Sequence, residues 1–182
     1  MSTYRIHTIE SAPEKSKRAL QDLKNAFGFV PNLVGAMAAS PVLINSLVPV
    51  FHNVHSGSFS EAEVQVVLLT NAVTNSATWP VAVHSKLALD AGVTSDDVRA
   101  IRARRTPRDA RLAALSGLAR AMIDKRGHIE EHDVVAFREA GFGQGLVLEL
   151  ITIVAASTIT NYTASITEPA LEAALQPHAW TA

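Results

Sequence analysis

One stretch constrains this chain more than any other. Ser60 is followed three residues later by Glu63, the capping-box pattern that opens a helix, and the residues from Val64 to Val73 are apolar nearly all round. A helix of that kind cannot rest one face on a neighbour and leave the other in water. It must be buried on most sides, so the rest of the chain has to surround it.

The punctuation around it says what does the surrounding. Ser11 with Glu14 reads as a capping box, with Pro13 in the first turn and Gly28 just past the end. Asn32 to Ala39 is a short second helix, and Ser40-Pro41 opens a third that Pro49 should kink or divide. The Ser60 helix is expected to run to about Asn75. Pro80 marks the next start and Gly92 its stop; Thr94 with Asp97 caps a short helix to about Arg102. Thr106-Pro107 begins another, ending at Gly127, with Leu112, Leu115, Ala119 and Met122 as its apolar stripe and Arg108, Arg111 and Lys125 on the wet side. Helices from about Glu130 to Ala140 and from about Gln144 to Ile166 close the chain. No segment alternates with period two for long, and Pro and Gly fall between helices. The expectation is one all-α domain, residues 1–182, of eight or nine helices.

Composition narrows the function classes. Sixteen Lys+Arg against seventeen Asp+Glu give a formal charge of −1, so charge balance makes no case for a nucleic-acid or membrane partner. Hydrophobic residues at 48% and a mean hydropathy of +0.16 leave apolar surface to bury between subunits. With 18% charged residues, disorder is not expected. Met1 to Glu10 is polar and lacks a secretory core. The most apolar stretch, Leu146 to Ile159, is interrupted by Glu149 and falls short of the ~20 residues that span a bilayer. The chain thus reads as soluble and cytoplasmic. It contains no cysteine, which removes disulfides, thiolate metal sites, iron–sulfur clusters and cysteine nucleophiles.

The segment Ser60 to Ser85, SEAEVQVVLLTNAVTNSATWPVAVHS, resembles the core of the alkylhydroperoxidase AhpD-like and carboxymuconolactone decarboxylase superfamily. In its redox-active members a buried helix with an acidic residue leads to an Asn-Gly-Cys-x-Tyr-Cys turn, and a histidine follows one turn into the next helix. That pattern places Asn75 on the asparagine, Ala77 on the first cysteine, Trp79 on the aromatic, Pro80 on the second cysteine, His84 on the histidine and Gln65 on the acid. FGFVPNL (Phe27 to Leu33) resembles the N-terminal segment of the peroxidase-related branch; AGF (Ala140 to Phe142), Glu149 and TNY (Thr160 to Tyr162) resemble its closing helices. The resemblance covers roughly Phe27 to Ile166 and implies an AhpD-like helical bundle and a homo-oligomer, a trimer or a hexamer of dimers.

Read as chemistry, the replacements remove the redox reaction. A thiolate at a helix N-terminus would attack peroxide and condense with its neighbour; Ala77 and Pro80 can do neither. Gln65 exchanges no proton near neutral pH, and the thioethers of Met1, Met37 and Met122 are no substitute. Of the relay, His84 remains. The non-redox side of the superfamily, the carboxymuconolactone decarboxylases, implies a second chemistry: acid–base work on a small lactone acid without a thiol pair or redox cofactor, for which histidine is suited. His84 would be the base and Gln65 its catalytic neighbour. Asn75 and Trp79 would contact substrate, Trp79 by stacking on a flat ring. Glu149, set among Leu146, Val147, Leu148, Leu150 and Ile151, must find a partner or raise its pKa; it is a proton donor or substrate contact, or else a brace between helices. Asn161 and Tyr162 stand under the same two readings, and Ala164 and Ser165 occupy the place where the peroxidase-related branch often has Asn-His.

Two functions stay open: a cofactor-free lyase or isomerase acting on a small organic acid, lactone or carbonyl compound, and a catalytically inactive scaffold that binds a ligand or protein. His84 would be a base in the first and a hydrogen-bonded core histidine in the second. His52 and His55 share a helix face and could join His84 in a metal site only if the fold brought the helices together, and no metal is expected. His128 and His132 read as surface residues. Arg102, Arg104, Arg105, Arg108 and Arg111 form an anion or partner site, or a solvated corner or subunit contact; without interleaved aromatics they make a poor nucleic-acid surface.

Overall fold

Residues 4–181 are described by the computed structural model. They form nine α-helices: α1 (Lys17–Phe27), α2 (Asn32–Met37), α3 (Pro41–His55), α4 (Glu61–Thr74), α5 (Thr78–Asp90), α6 (Ser95–Arg102), α7 (Ala110–Asp124), α8 (Glu131–Glu139) and α9 (Gln144–Thr167). Short 3-10 turns at Glu14–Ser16 and Ala173–His178 flank them, and no strand occurs among the described residues. The architecture is all-α, as the helix punctuation implies.

The helix α4 is enclosed. Every residue from Glu63 to Val73 is buried, and α3, α5, α6, α7 and α9 pack around it. Its start is fixed by the expected capping box: the Glu63 N–H donates to Ser60 Oγ at 3.4 Å, and the Ser60 N–H donates to Glu63 Oε2 at 2.8 Å. One side of α4 (Val64, Val67, Leu68) packs with Leu115 and Leu118 of α7, Phe137 of α8, Phe142, and Leu150 of α9. The opposite side (Val66, Leu69, Ala72, Val73) meets Val81 and Ala88 of α5 and Val98 and Ile101 of α6. Each such side chain contributes roughly 1.5–3 kcal/mol by leaving water, which is why an all-round apolar helix ends up in the middle.

Several sequence expectations are corrected. Ser11 does not cap the first helix: its hydroxyl accepts from the Thr8 N–H at 3.0 Å, inside a turn of its own, and the chain enters α1 through the 3-10 turn at Glu14–Ser16. Pro49 does not divide α3, which runs unbroken from Pro41 to His55. α7 starts at Ala110, not at Thr106-Pro107, because Asp109 caps it by accepting from the Leu112 N–H at 2.9 Å. The length argument against a membrane span also fails. α9 is 24 residues long, with a window of mean hydropathy 1.4, long and apolar enough to cross a bilayer. Here it is a wall against which α2, α3, α4, α5 and α7 pack, with polar Ser157, Thr160 and Asn161 on its buried side.

The arginine run is mostly structural. The Arg102 guanidinium donates to Ser85 Oγ (3.0 Å) and to the carbonyls of His178 (3.0 Å) and Ala179 (2.7 Å), tying down the C-terminal segment. Arg111 donates through Nε to Glu63 Oε1 at 2.6 Å and lies 3.8 Å over the Phe142 ring, so it is a clamp between helices as well as a wet-face residue.

Candidate functional site

The turn between α4 and α5 places the residues of the motif. Asn75 ends α4, its side-chain amide donating to the Asn71 carbonyl at 2.8 Å. Ser76 follows at φ 54°, the left-handed region that favours glycine, and stands where the resembling pattern has its glycine. The Arg104 guanidinium donates to Ser76 Oγ at 2.8 Å and anchors that turn. Ala77 is then the N-cap of α5, with no side-chain cap, and its N–H donates to the Ala72 carbonyl at 2.9 Å. Pro80 and His84 are four residues apart on α5, on one face and both buried. Ala77 and Pro80, which the resemblance sets on the two cysteines, thus lie at the head of the helix that carries the imidazole.

His84 is 7% exposed, and its Nδ1 lies 2.9 Å from Gln65 Oε1 on α4. The sequence pairing of His84 with Gln65 is therefore a direct contact. It extends further than the sequence reading saw. Gln65 Nε2 donates to Glu61 Oε1 at 2.6 Å, and Glu61 Oε2 lies 2.9 Å from His55 Nδ1 at the end of α3. Four side chains from three helices form one hydrogen-bonded row, His84–Gln65–Glu61–His55. Glu61 lies outside the motif that points to Gln65 and His84, yet its i,i+4 spacing to Gln65 is a sequence signal for a shared face.

Burial, followed by the charge of His55, pushes the His84 pKa down to about 3. No carboxylate touches the ring to offset the desolvation, because the group on Nδ1 is a neutral amide. His84 is thus a neutral imidazole. Its other nitrogen, Nε2, has no hydrogen-bond partner among the described residues. Nor is it among the sealed, unpartnered atoms of the core, which are those of the Asn71 amide and Asn161 Oδ1. Nε2 therefore lies in the part of the residue that stays open. Among the described residues the ring nitrogens of His52, His55 and His84 do not gather within ligating distance of one another.

The other candidates sit elsewhere. Trp79 is buried among Leu33, Met37, Leu47, Ala164 and Leu175, and its Nε1 donates to Glu172 Oε2 at 2.9 Å. The other Glu172 oxygen accepts from the Asn32 N–H at 2.6 Å, so one carboxylate links Trp79, α2 and the C-terminal segment. An edge of Trp79 lines a half-open cleft of about 470 Å³ with Ser76, Thr78, Ala164, Ser165, Glu168 and Pro169, a cleft that His84 does not line. Glu149 Oε1 accepts from the Ser58 N–H at 2.5 Å and braces the turn before α4; a Cβ on Gly57 would strike it. Tyr162 is 59% exposed on the outer face of α9, and Asn161 is buried, donating to Ser157 Oγ at 3.2 Å. No hydrogen bond joins Asn75, Glu149 or Tyr162 to the imidazole among the described residues. Exposed His132 and Glu130 cluster with half-buried Asp133, where the Lys125 ammonium lies 2.6 Å from Asp133 Oδ2.

No protein-family model matches the chain, and no curated protein matches it by sequence. Solved structures do match. A crystal structure of an alkylhydroperoxidase AhpD core, a peroxidase-related protein from Ralstonia eutropha JMP134, superposes with a TM-score of 0.82 at 16% identity, over 96% of this chain and 94% of that one. A peroxidase-related protein from Silicibacter sp. TM1040 gives 0.74 at 19% identity, over 95% and 92%. The debrominase Bmp8, crystallised as a cysteine-to-alanine variant with 2,3,4-tribromopyrrole, gives 0.76 at 16% identity, over 98% and 97%. At such identities the likeness speaks to the fold: this chain has the AhpD-like helical fold and carries no cysteine.

Proposed function

We propose that the chain is a cofactor-independent acid–base catalyst of lyase or isomerase type, acting on a small organic acid, lactone or carbonyl compound with neutral His84 as the base. The observation that carries this is the state of one ring: Nδ1 is held by Gln65 while Nε2 has no hydrogen-bond partner among the described residues. A proton on a carbon beside a carbonyl would pass to Nε2, the C–H electron pair moving into the enolate. Return of the proton at another carbon gives an isomer. Expulsion of a leaving group, which takes the proton from the imidazolium, gives a lyase product.

A buried, neutral imidazole is best matched by a substrate whose negative charge, once formed, stays beside the imidazolium, which favours an enolate-forming substrate extended by a carboxylate or lactone carbonyl. The tribromopyrrole bound by the Bmp8 variant supports a flat substrate of similar size on this fold.

The 470 Å³ cleft favours a second reading, a binding scaffold without turnover, because it is lined by Trp79 and not by His84. Self-association is proposed under either reading. Leu148, Ile151, Tyr162 and Ile166, 49–69% exposed, lie at helical spacing along the outer face of α9. The test is proton exchange in deuterated buffer and turnover across small lactones, unsaturated acids and 2-oxo acids. Wild type should exchange or convert one class, and His84→Asn should lose that rate by about 100-fold or more. Turnover unchanged in His84→Asn would retire the base; no exchange with any class would favour the binding scaffold.

A further inference from the structure

We propose that Glu61 is a positioning residue: with His55 it holds the Gln65 amide in one orientation, and that amide keeps the His84 proton on Nδ1 so that Nε2 presents a lone pair. The inference deepens the reading of His84 as the reactive group and rests on it for its functional meaning.

The argument is an inventory of donors and acceptors. An ionised carboxylate only accepts hydrogen bonds. At 2.6 Å from Glu61 Oε1, the near end of the Gln65 amide must therefore be its NH2 group. The far end is then the carbonyl oxygen, which also only accepts, and it sits 2.9 Å from His84 Nδ1. Nδ1 must carry the proton. The reverse amide orientation would set a carbonyl oxygen against the carboxylate and turn the NH2 group toward Nδ1, which could accept it only with the proton moved to Nε2. Glu61 is itself fixed, since its second oxygen is engaged by His55 Nδ1 at 2.9 Å, and His55 is stacked on Phe51 with ring centroids 6.1 Å apart. The row orients the imidazole without conducting protons, because an amide passes a proton along only through its imidic acid form.

The spacing lets a surface residue act on a buried one. Glu61 is the first residue of α4 with its side chain 53% exposed, whereas Gln65, one turn on, is 1% exposed and His84 is 7% exposed. A substitution at Glu61 leaves the core and the Ser60–Glu63 capping box in place.

The experiment uses uniformly 15N-labelled full-length protein at pH 7. Two-bond proton–nitrogen correlations of the imidazole rings distinguish a protonated ring nitrogen from an unprotonated one, and His84→Asn identifies the His84 signals. Wild type should show a single Nδ1-protonated form. In Glu61→Ala and Glu61→Gln the two His84 nitrogen shifts should move toward each other, or exchange, as the amide loses its fixed orientation. An Nε2-protonated His84 in the wild type, or an undisturbed Nδ1-protonated form in both variants, would overturn the proposal. Because this signature needs no substrate, its failure is separate from that of the base reading, which His84→Asn kinetics decide.

Discussion

Replacing His84 by asparagine should flatten the acid limb of the protein's stability curve. The folded chain holds this imidazole at a pKa of about 3, against 6.5 for a free histidine. Between those values the unfolded chain binds the extra proton, so stability from this group rises with pH and is lost as pH falls below 6.5. The slope approaches 1.4 kcal/mol per pH unit, and between pH 7 and pH 4.5 the loss comes to about 2–3 kcal/mol. Asparagine keeps an N–H donor for Gln65 Oε1 and does not titrate. Its own packing cost is nearly independent of pH and cancels when each protein is compared with itself. The assay is urea unfolding of wild type and His84→Asn at pH 7.0 and 4.5, followed by circular dichroism. Wild type should lose about 2–3 kcal/mol more than the variant over that interval. Parallel losses would mean that the folded state lets the imidazole charge freely, and that the ring is not held neutral by desolvation.

Three further outcomes are expected. Arg111→Met leaves Glu63 Oε1 without its 2.6 Å partner and should cost about 1–3 kcal/mol in urea unfolding at pH 7. Burial alone would raise the Glu63 pKa, but the Ser60 N–H and the Arg111 guanidinium hold it below the usual 4.5. The Arg111 contribution should therefore shrink as pH falls through the lowered Glu63 pKa, and a cost that stayed constant over the whole acid limb would contradict the pairing. Ile151→Asp puts a charge in the outer stripe of α9 and should weaken self-association about tenfold or more, roughly 1.4 kcal/mol, by light scattering across a dilution series. An unchanged mass at every concentration would point to a different interface. Hydroperoxide consumption with a thiol or pyridine-nucleotide reductant should not exceed the protein-free rate, and clear turnover would show that the reaction does not need a cysteine thiol.

Local sequence determined the helices. The Ser60–Glu63 box, the Thr94 and Asp109 caps and the glycine after α1 each act through atoms a few residues away, so their outcome is set before the chain folds back on itself. The apolar circumference of α4 also announced that it would be central, because hydrophobic burial needs only that the side chain leave water. The absence of cysteine was complete as chemistry from the outset. Where local signals competed, the sequence misled: Ser11 offered its hydroxyl to a nearer turn, and Pro107 lost the start of α7 to Asp109.

Tertiary structure decided the site. The pairing of His84 with Gln65 could be anticipated through a resemblance, but the continuation to Glu61 and His55 depends on the end of α3 meeting the first turn of α4. The same holds for Trp79, claimed by Glu172 from 93 residues away, and for Glu149, claimed by the backbone of Ser58. Hydrogen bonds last over ~3 Å and depend on direction, so which donor meets which acceptor is settled only when whole helices have docked. Hydrophobicity is non-directional and accumulates along a helix, and that is why the bundle could be read from the letters while its polar contacts could not.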